Sequence, residues 1–307
     1  VSRVPEEGGL QENVRAASSP KAADFPAADG KTLNQIAEEV KGGGTTEVGL
    51  ATSVFTVGED RLAFGMIDDQ GQFVYGPTVV YVAPTPDDPA EGPFVAPADV
   101  LVTEGRYRSR QAAEETDPFA AVYQAKVPFS QKGPYAVLAV TRSGNTFVAA
   151  PAQLQVNTKK ADDIPDVGER APDVPTDTIE SVKGDEDLLD TRTPPSDMHA
   201  ESFDQVVGKK PVALLFATPQ LCQSRVCGPV TDVALQLKAK YGDRMEFIHQ
   251  EVYVDNDPQA GLRESLRSFQ LRTEPWLFVI DADGMITARL EGSFGLKAFE
   301  DAVKTAL

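Results

Sequence analysis

The chain has 307 residues, 41% of them hydrophobic, which is enough for two domains of ordinary size. Acidic residues outnumber basic ones 47 to 29, and the formal net charge of −18 repels phosphate backbones and anionic lipid headgroups. Nucleic acid and acidic membrane surfaces are therefore disfavoured as partners, and the plain reading of the acidity is solubility. The longest apolar runs, 211–219 and 135–140, fall well short of the roughly 20 residues that span a bilayer, so no membrane span is expected.

The chain begins at Val1 without a methionine or an apolar leader, which points to a removed signal segment or a trimmed start. Residues 1–45 are rich in Glu, Ala, Pro, Gly and Ser. They predict an extended arm with one short helix over 32–40, where Leu33, Ile36, Ala37 and Val40 share a face between Asp29-Gly30 and the run Gly42-Gly43-Gly44. Residues 46–157 change to short alternating apolar runs separated by turns. Leu62, Phe64 and Met66 precede the turn Asp68-Asp69-Gln70-Gly71, 79–82 follows, and 122–129, 135–142 and 146–156 complete the set. With no long helical period among them, an all-β sandwich is the expected packing solution.

Residues 158–198, rich in Asp, Pro and Thr, read as a crossover between domains. From 199 to 307 the order is βαβαββα. A buried strand at 212–217 leads to a helical face of Val230, Val233, Ala234, Leu237 and Tyr241, then a strand at 245–254. Leu262, Leu266 and Phe269 share another helical face, 276–280 and 286–290 are strands around a turn at 281–284, and 296–307 closes as a helix. Such an order implies a mixed sheet with helices on both faces.

Both cysteines lie in one stretch, LLFATPQLCQSRVCGPV, between the first of these strands and its helix. Two cysteines so close in sequence fit an oxidising compartment. Several local sequences here resemble the thioredoxin superfamily in its secreted thiol-disulfide oxidoreductase and peroxiredoxin-like branches. PVALLFATPQLC is similar to the strand running into the family's cysteine loop, and CGPV to its CGPC motif with the second cysteine lost. Glu274-Pro275 stands where the family has its cis-proline. VIDADGMITARLEG is similar to the final hairpin, and IPDVGERAPDV, from about residue 164, to the lead-in segment. GPYAVLAVTRSGNTFVAAPAQLQV resembles the last hairpin of an immunoglobulin-like domain. The expected fold is thus an α/β thioredoxin-like C-terminal domain preceded by an all-β immunoglobulin-like sandwich.

The resemblance implies that Cys227 opens a helix whose amide groups and dipole favour a thiolate, with Pro229 suited to the first turn. Cys227 is then the expected nucleophile and Cys222 its partner, a C-x4-C variant expected to be oxidised outside the cell. It also implies a substrate groove shaped by Pro275, Glu274, Trp276, Arg225 and Pro229. Departures from the family pattern are plain. Val230 replaces the usual second cysteine, the strand VALLFA carries no carboxylate, and Glu274 puts a negative charge beside the sulfur unless Arg225 screens it.

Three readings of the pair stay open: a disulfide staple in a redox-silent binding protein, an exchange pair acting on partner proteins, and a copper-handling clip completed by a histidine. Ser224, three residues before Cys227, also invites a peroxidase reading, but Pro219 is one residue out of step for it. His199 is expected to cap or pack, and His249 to be a sheet residue rather than a ligand. Asp255-Asn256-Asp257 lacks the glycine and glutamate of a calcium loop and reads as a turn. Trp276 is expected to fill core and to pack next to the cysteine loop. No cofactor or metal is expected. The partners expected are extracytoplasmic protein thiols or disulfides, and the location secreted or cell-envelope, with anchoring through a removed N-terminal segment.

Overall fold

The computed structural model describes residues 7–40, 46–114, 117, 119–159, 161 and 163–307; the glycine run expected to end the first helix lies outside them. The chain divides into two compact units, Val1–Val100 with Glu114–Ala161, and Leu101–Ala113 with Asp162–Leu307. Among the described residues no helix is long and apolar enough to cross a membrane.

Among the described residues the first unit contains α1 (Glu7–Ala17), α2 (Leu33–Glu39) and nine strands: β1 (Thr46–Leu50), β2 (Phe55–Thr56), β3 (Gly58–Asp68), β4 (Thr78–Ala83), β5 (Glu91–Val95), β6 (Ala98–Val100), β7 (Ala121–Phe129), β8 (Gly133–Ser143) and β9 (Thr146–Asn157). They form one sheet in the order β1-β3-β7-β6 and a second in the order β2-β9-β8-β4-β5. Leu62, Phe64 and Met66 of β3 and Tyr123, Ala125 and Val127 of β7 share one core with Val80 and Val82 of β4 and Val137 and Ala139 of β8. Two sheets, antiparallel except for the short parallel β2–β9 pair, thus face each other, as period-two alternation requires.

The outer face of the second sheet is covered as well. Val79 and Tyr81 of β4 and Leu138 and Val140 of β8 pack against Phe25, Leu33, Ile36 and Val40 of the N-terminal arm. Burial on both faces is why β4 reads TVVYVA, a nearly continuous apolar run rather than an alternation. The helix that does the covering is fixed by a capping box. The Thr32 side chain accepts from the Gln35 amide, and the Gln35 side chain accepts from the Thr32 amide.

The second unit contains α3 (Glu186–Leu189), α4 (Phe203–Val206), β10 (Val212–Phe216), α5 (Cys227–Tyr241), β11 (Glu246–Gln250), α6 (Glu264–Ser268), β12 (Trp276–Ile280), β13 (Ile286–Glu291) and α7 (Leu296–Lys304). Its sheet runs β11-β10-β12-β13, with β10 parallel to β11 and antiparallel to β12, and β12 antiparallel to β13. The parallel pair is joined through α5, and the Glu274-Pro275 peptide is cis just before β12. This is a mixed α/β unit. The segment 164–174 lies along the edge strand, where Gly168 donates to the Ile286 carbonyl and Ile286 to that of Glu169.

One segment departs from the sequence expectation. Residues 101–113, expected within the sandwich, pack as a strap on α5. The Glu104 amide donates to Gln236, the Ser109 amide and hydroxyl donate to Asp232, and the Arg110 amide donates to the Thr193 carbonyl. The strap sits so close to the first turn of α5 that a Cβ on Gly228 would lie 2.5 Å from Gln111 Cβ and 2.6 Å from its carbonyl oxygen. Backbone cannot yield as a flexible side chain does, so Gly228→Ala is expected to cost about 1–3 kcal/mol. The measurement is the urea unfolding midpoint, and an unchanged midpoint would mean the strap does not rest on the helix.

Candidate functional site

The cysteine loop begins where β10 ends. Leu221 and Cys222 both donate to the Thr218 carbonyl, and Arg225, in the left-handed region at φ 61°, donates to the Cys222 carbonyl. These bonds turn the loop back on itself, so Cys222 meets Cys227 at the first residue of α5 despite the four residues between them. Both thiols are free rather than joined, and they hydrogen-bond to each other. Ser224 Oγ lies 3.2 Å from Cys222 Sγ.

The two sulfurs are not equivalent. Cys227 is 0% exposed and Cys222 7% exposed, with Gln223, Ser224 and Arg225 beside Cys222 open to solvent. The hydrogen bond from Cys227 lowers the Cys222 pKa to about 6, against the opposing effect of burial and with help from Ser224. Burial pushes the Cys227 thiol well up, and the neighbouring Cys222 adds to the rise. The helix N-terminus expected to make Cys227 the thiolate is therefore outweighed by its desolvation. Neither sulfur is freely open to a visiting chain, as the exchange reading asks, and the acid–base order runs opposite to the sequence expectation.

Glu274 is half-buried next to the pair, and its pKa is raised by burial and by Cys222. No ion pair joins it to Arg225 among the described residues. Pro275 and Pro229 are buried, Pro229 within the first turn of α5. Trp276 is fully packed, donating from Nε1 to Thr273 Oγ1 and stacking on Phe278 at 5.7 Å. None of these described contacts of Trp276 reaches a cysteine.

Behind the loop lies a buried polar network that the sequence did not announce. Thr191 donates from its amide and hydroxyl to Glu251 Oε1, at 2.8 and 2.6 Å, and its hydroxyl accepts from the Gln220 amide. Burial raises the Glu251 pKa. Next to it, Asp190 Oδ2 is 3.1 Å from His199 Nε2 and 3.5 Å from His249 Nδ1. Burial opposes ionisation of Asp190, yet the two histidines hold its carboxyl well below the usual range. His249 donates from Nε2 to the Ala217 carbonyl at 3.0 Å, so it faces Asp190 and the loop backbone rather than the sulfurs. The cluster of three possible metal ligands among the described residues is Asp190, His199 and His249, and it contains neither cysteine. A copper clip of two thiolates and His249 is therefore not assembled. Asp255 and Asn256 sit in a 3-10 turn with positive φ.

Arg192 and Asp232 form a second buried element, 3% and 1% exposed at their side chains. Arg192 Nε donates to Asp232 Oδ1 at 2.8 Å, Nη1 to the Pro194 carbonyl and Nη2 to the Tyr107 carbonyl.

No family model and no curated protein matches the chain. Among solved structures it is similar to a putative thiol:disulfide interchange protein DsbE from Chlorobium tepidum, at 16% identity and a TM-score of 0.33, covering 46% of this chain and 98% of that one. A thiol:disulfide interchange protein of the thioredoxin family from Chlorobium tepidum TLS gives 17% identity and a TM-score of 0.30, covering 45% of this chain and 96% of that one. A thioredoxin-like protein in the oxidized form gives 18% and 0.29, covering 34% and 81%. Likenesses this distant carry no argument about chemistry.

Proposed function

We propose that the chain is an extracytoplasmic thiol-disulfide exchange protein in which Cys222 is the attacking thiol and Cys227 the resolving one. The observation that carries this reading is the doubled-back loop that sets Cys222 beside Cys227 at the first residue of α5, and the Cys222 thiol there is lowered to about 6. At neutral pH most of it is thiolate, the form that attacks disulfides. Cys222 attacks one sulfur of a partner disulfide, forming a mixed disulfide and releasing the other partner sulfur as a thiolate. Cys227 then loses its proton and attacks Cys222, joining the pair and releasing the partner as a dithiol. The chain is oxidised by two electrons, the partner is reduced by two, and a second dithiol protein returns the pair to the start. Glu274, cis-Pro275 and exposed Arg225 are proposed to shape the groove for an extended partner segment, with Pro229 and Trp276 supporting it from the core. The first unit is proposed as an immunoglobulin-like sandwich, and the chain as secreted or envelope-located.

The burial of both sulfurs favours a second reading, a redox-silent binding protein with a structural pair. A reduction potential measured with a dithiothreitol-coupled exchange assay separates the two. Turnover with a potential above about −300 mV supports exchange, whereas a lower potential without turnover supports the staple. Glu274→Gln removes a negative charge beside Cys222 and is expected to shift the pH profile of Cys222 alkylation to lower pH. An unshifted profile would show that Glu274 does not act on the thiolate.

A further inference from the structure

We infer that Asp190, His199 and His249 are the protein ligands of one divalent transition-metal ion, of the imidazole-preferring class to which zinc belongs. This does not rest on the exchange reading, since neither cysteine takes part. The donor atoms converge: Asp190 Oδ2 is 3.1 Å from His199 Nε2 and 3.5 Å from His249 Nδ1, and one atom from each residue lies within 4.8 Å of the others. Ligands about 2.0–2.1 Å from a tetrahedral ion stand about 3.3 Å apart, close to these two separations. Two imidazoles and one carboxylate suit zinc, nickel, copper or iron rather than calcium or magnesium, which take oxygen donors.

The histidine tautomers point the same way. The Ala217 carbonyl can only accept, so His249 Nε2 carries a proton and Nδ1 of the neutral ring is a bare lone pair. That lone pair has no hydrogen-bond partner among the described residues and faces the lone pairs of an ionised carboxylate. A cation must relieve this opposition. It is either a proton on Nδ1 or a metal ion held by Nδ1 and Oδ2. A ring nitrogen oriented by donating from its other nitrogen to a backbone carbonyl is the usual second shell of a ligating histidine. His199 Nδ1 also lacks a partner among the described residues, while its Nε2 lies 3.1 Å from Asp190 Oδ2 and 3.2 Å from Ser196 Oγ, so an ion bound at Nε2 takes the place of the proton this nitrogen shares with Asp190. Glu251, 0% exposed with Oε2 unpartnered, adds a further buried acidic group beside His249.

Asp190 and His199 come from the irregular crossover and His249 from β11, so the ion would tie the crossover to the sheet directly behind the cysteine loop. Its role is to close the fold there. The chain has two histidines, so their imidazole nitrogen resonances read the site without ambiguity.

The test uses the untagged, chelator-stripped chain titrated with Zn2+ alone, and in parallel a Cys222→Ser/Cys227→Ser chain titrated with Co2+. The expected result is one ion per chain, Zn2+-induced shifts of both imidazoles, cobalt d–d bands without thiolate charge transfer, and a melting temperature that rises with Zn2+ concentration. His249→Gln and His199→Gln are each expected to weaken binding more than about 100-fold, since even second-shell losses cost about 10–100-fold. If those variants do not fold, the imidazole shifts of the unsubstituted chain decide. Imidazoles unmoved by saturating Zn2+ overturn the inference and leave the proton-bridged pair. Binding that disappears with the cysteines also overturns it and assigns the metal to the thiols.

Discussion

On the proposed exchange reading, Cys222→Ser is expected to lower exchange by more than about 10³-fold, because a serine hydroxyl at neutral pH has no counterpart to the thiolate. Cys227→Ser behaves differently. It keeps the first attack and accumulates a Cys222 mixed disulfide with the partner, since the resolving sulfur is gone. The asymmetry follows from the site. The Cys222 pKa is lowered to about 6 while burial pushes Cys227 up, so at neutral pH one sulfur is the nucleophile and the other stays protonated until the mixed disulfide forms. Alkylation of the reduced chain therefore rises with pH to half its maximum near pH 6 and reports Cys222 alone. Mass spectrometry of the modified peptide identifies the sulfur. Preferential labelling of Cys227, or a trapped adduct in Cys222→Ser and none in Cys227→Ser, would reverse the assignment of roles.

Arg192→Met is expected to destabilise the second unit by about 3–5 kcal/mol at neutral pH, because it leaves the carboxylate of Asp232 buried without its cation. The pH dependence has a definite sign. Burial already raises the Asp232 pKa above 3.8, so the folded chain binds more protons than the unfolded one in the window just above that value. Stability from this group is thus greatest at low pH and falls as pH rises through the window. Removing Arg192 widens the window, so the damage shrinks as pH approaches 3.8. Guanidinium-free replacement of both partners, Arg192→Met with Asp232→Leu, recovers a large part of the loss, as apolar substitution of a buried pair does. Urea unfolding at pH 4.5 and 7.5 checks this, and an equal loss at both would show that Asp232 is not the source.

The order of elements in the second unit was legible from apolar periodicity. The strand at 276–280 matches β12 residue for residue, and the helix over Val230 to Tyr241 falls within α5. In the first unit the long runs emerged as β3, β4, β7, β8 and β9, while the short strands β1, β2, β5 and β6 carried too few residues to show a period. The helix α2 had a further signal in Thr32 and Gln35, whose reciprocal bonds are written in the local sequence. The cysteine pair, too, could be found by position alone.

What the sequence determined on its own is whatever depends on neighbours a few residues apart: strand alternation, helix faces, turns and the loop that holds two thiols. The difference between the two thiols comes from tertiary structure, because burial pushes the Cys227 thiol up and only packing sets burial. The strap 101–113 on α5 and the joining of Asp190, His199 and His249 were likewise invisible, since they bring together residues up to 132 positions apart. Spacing along a chain encodes local geometry, whereas the distance between buried charges is set by how the elements fold over one another.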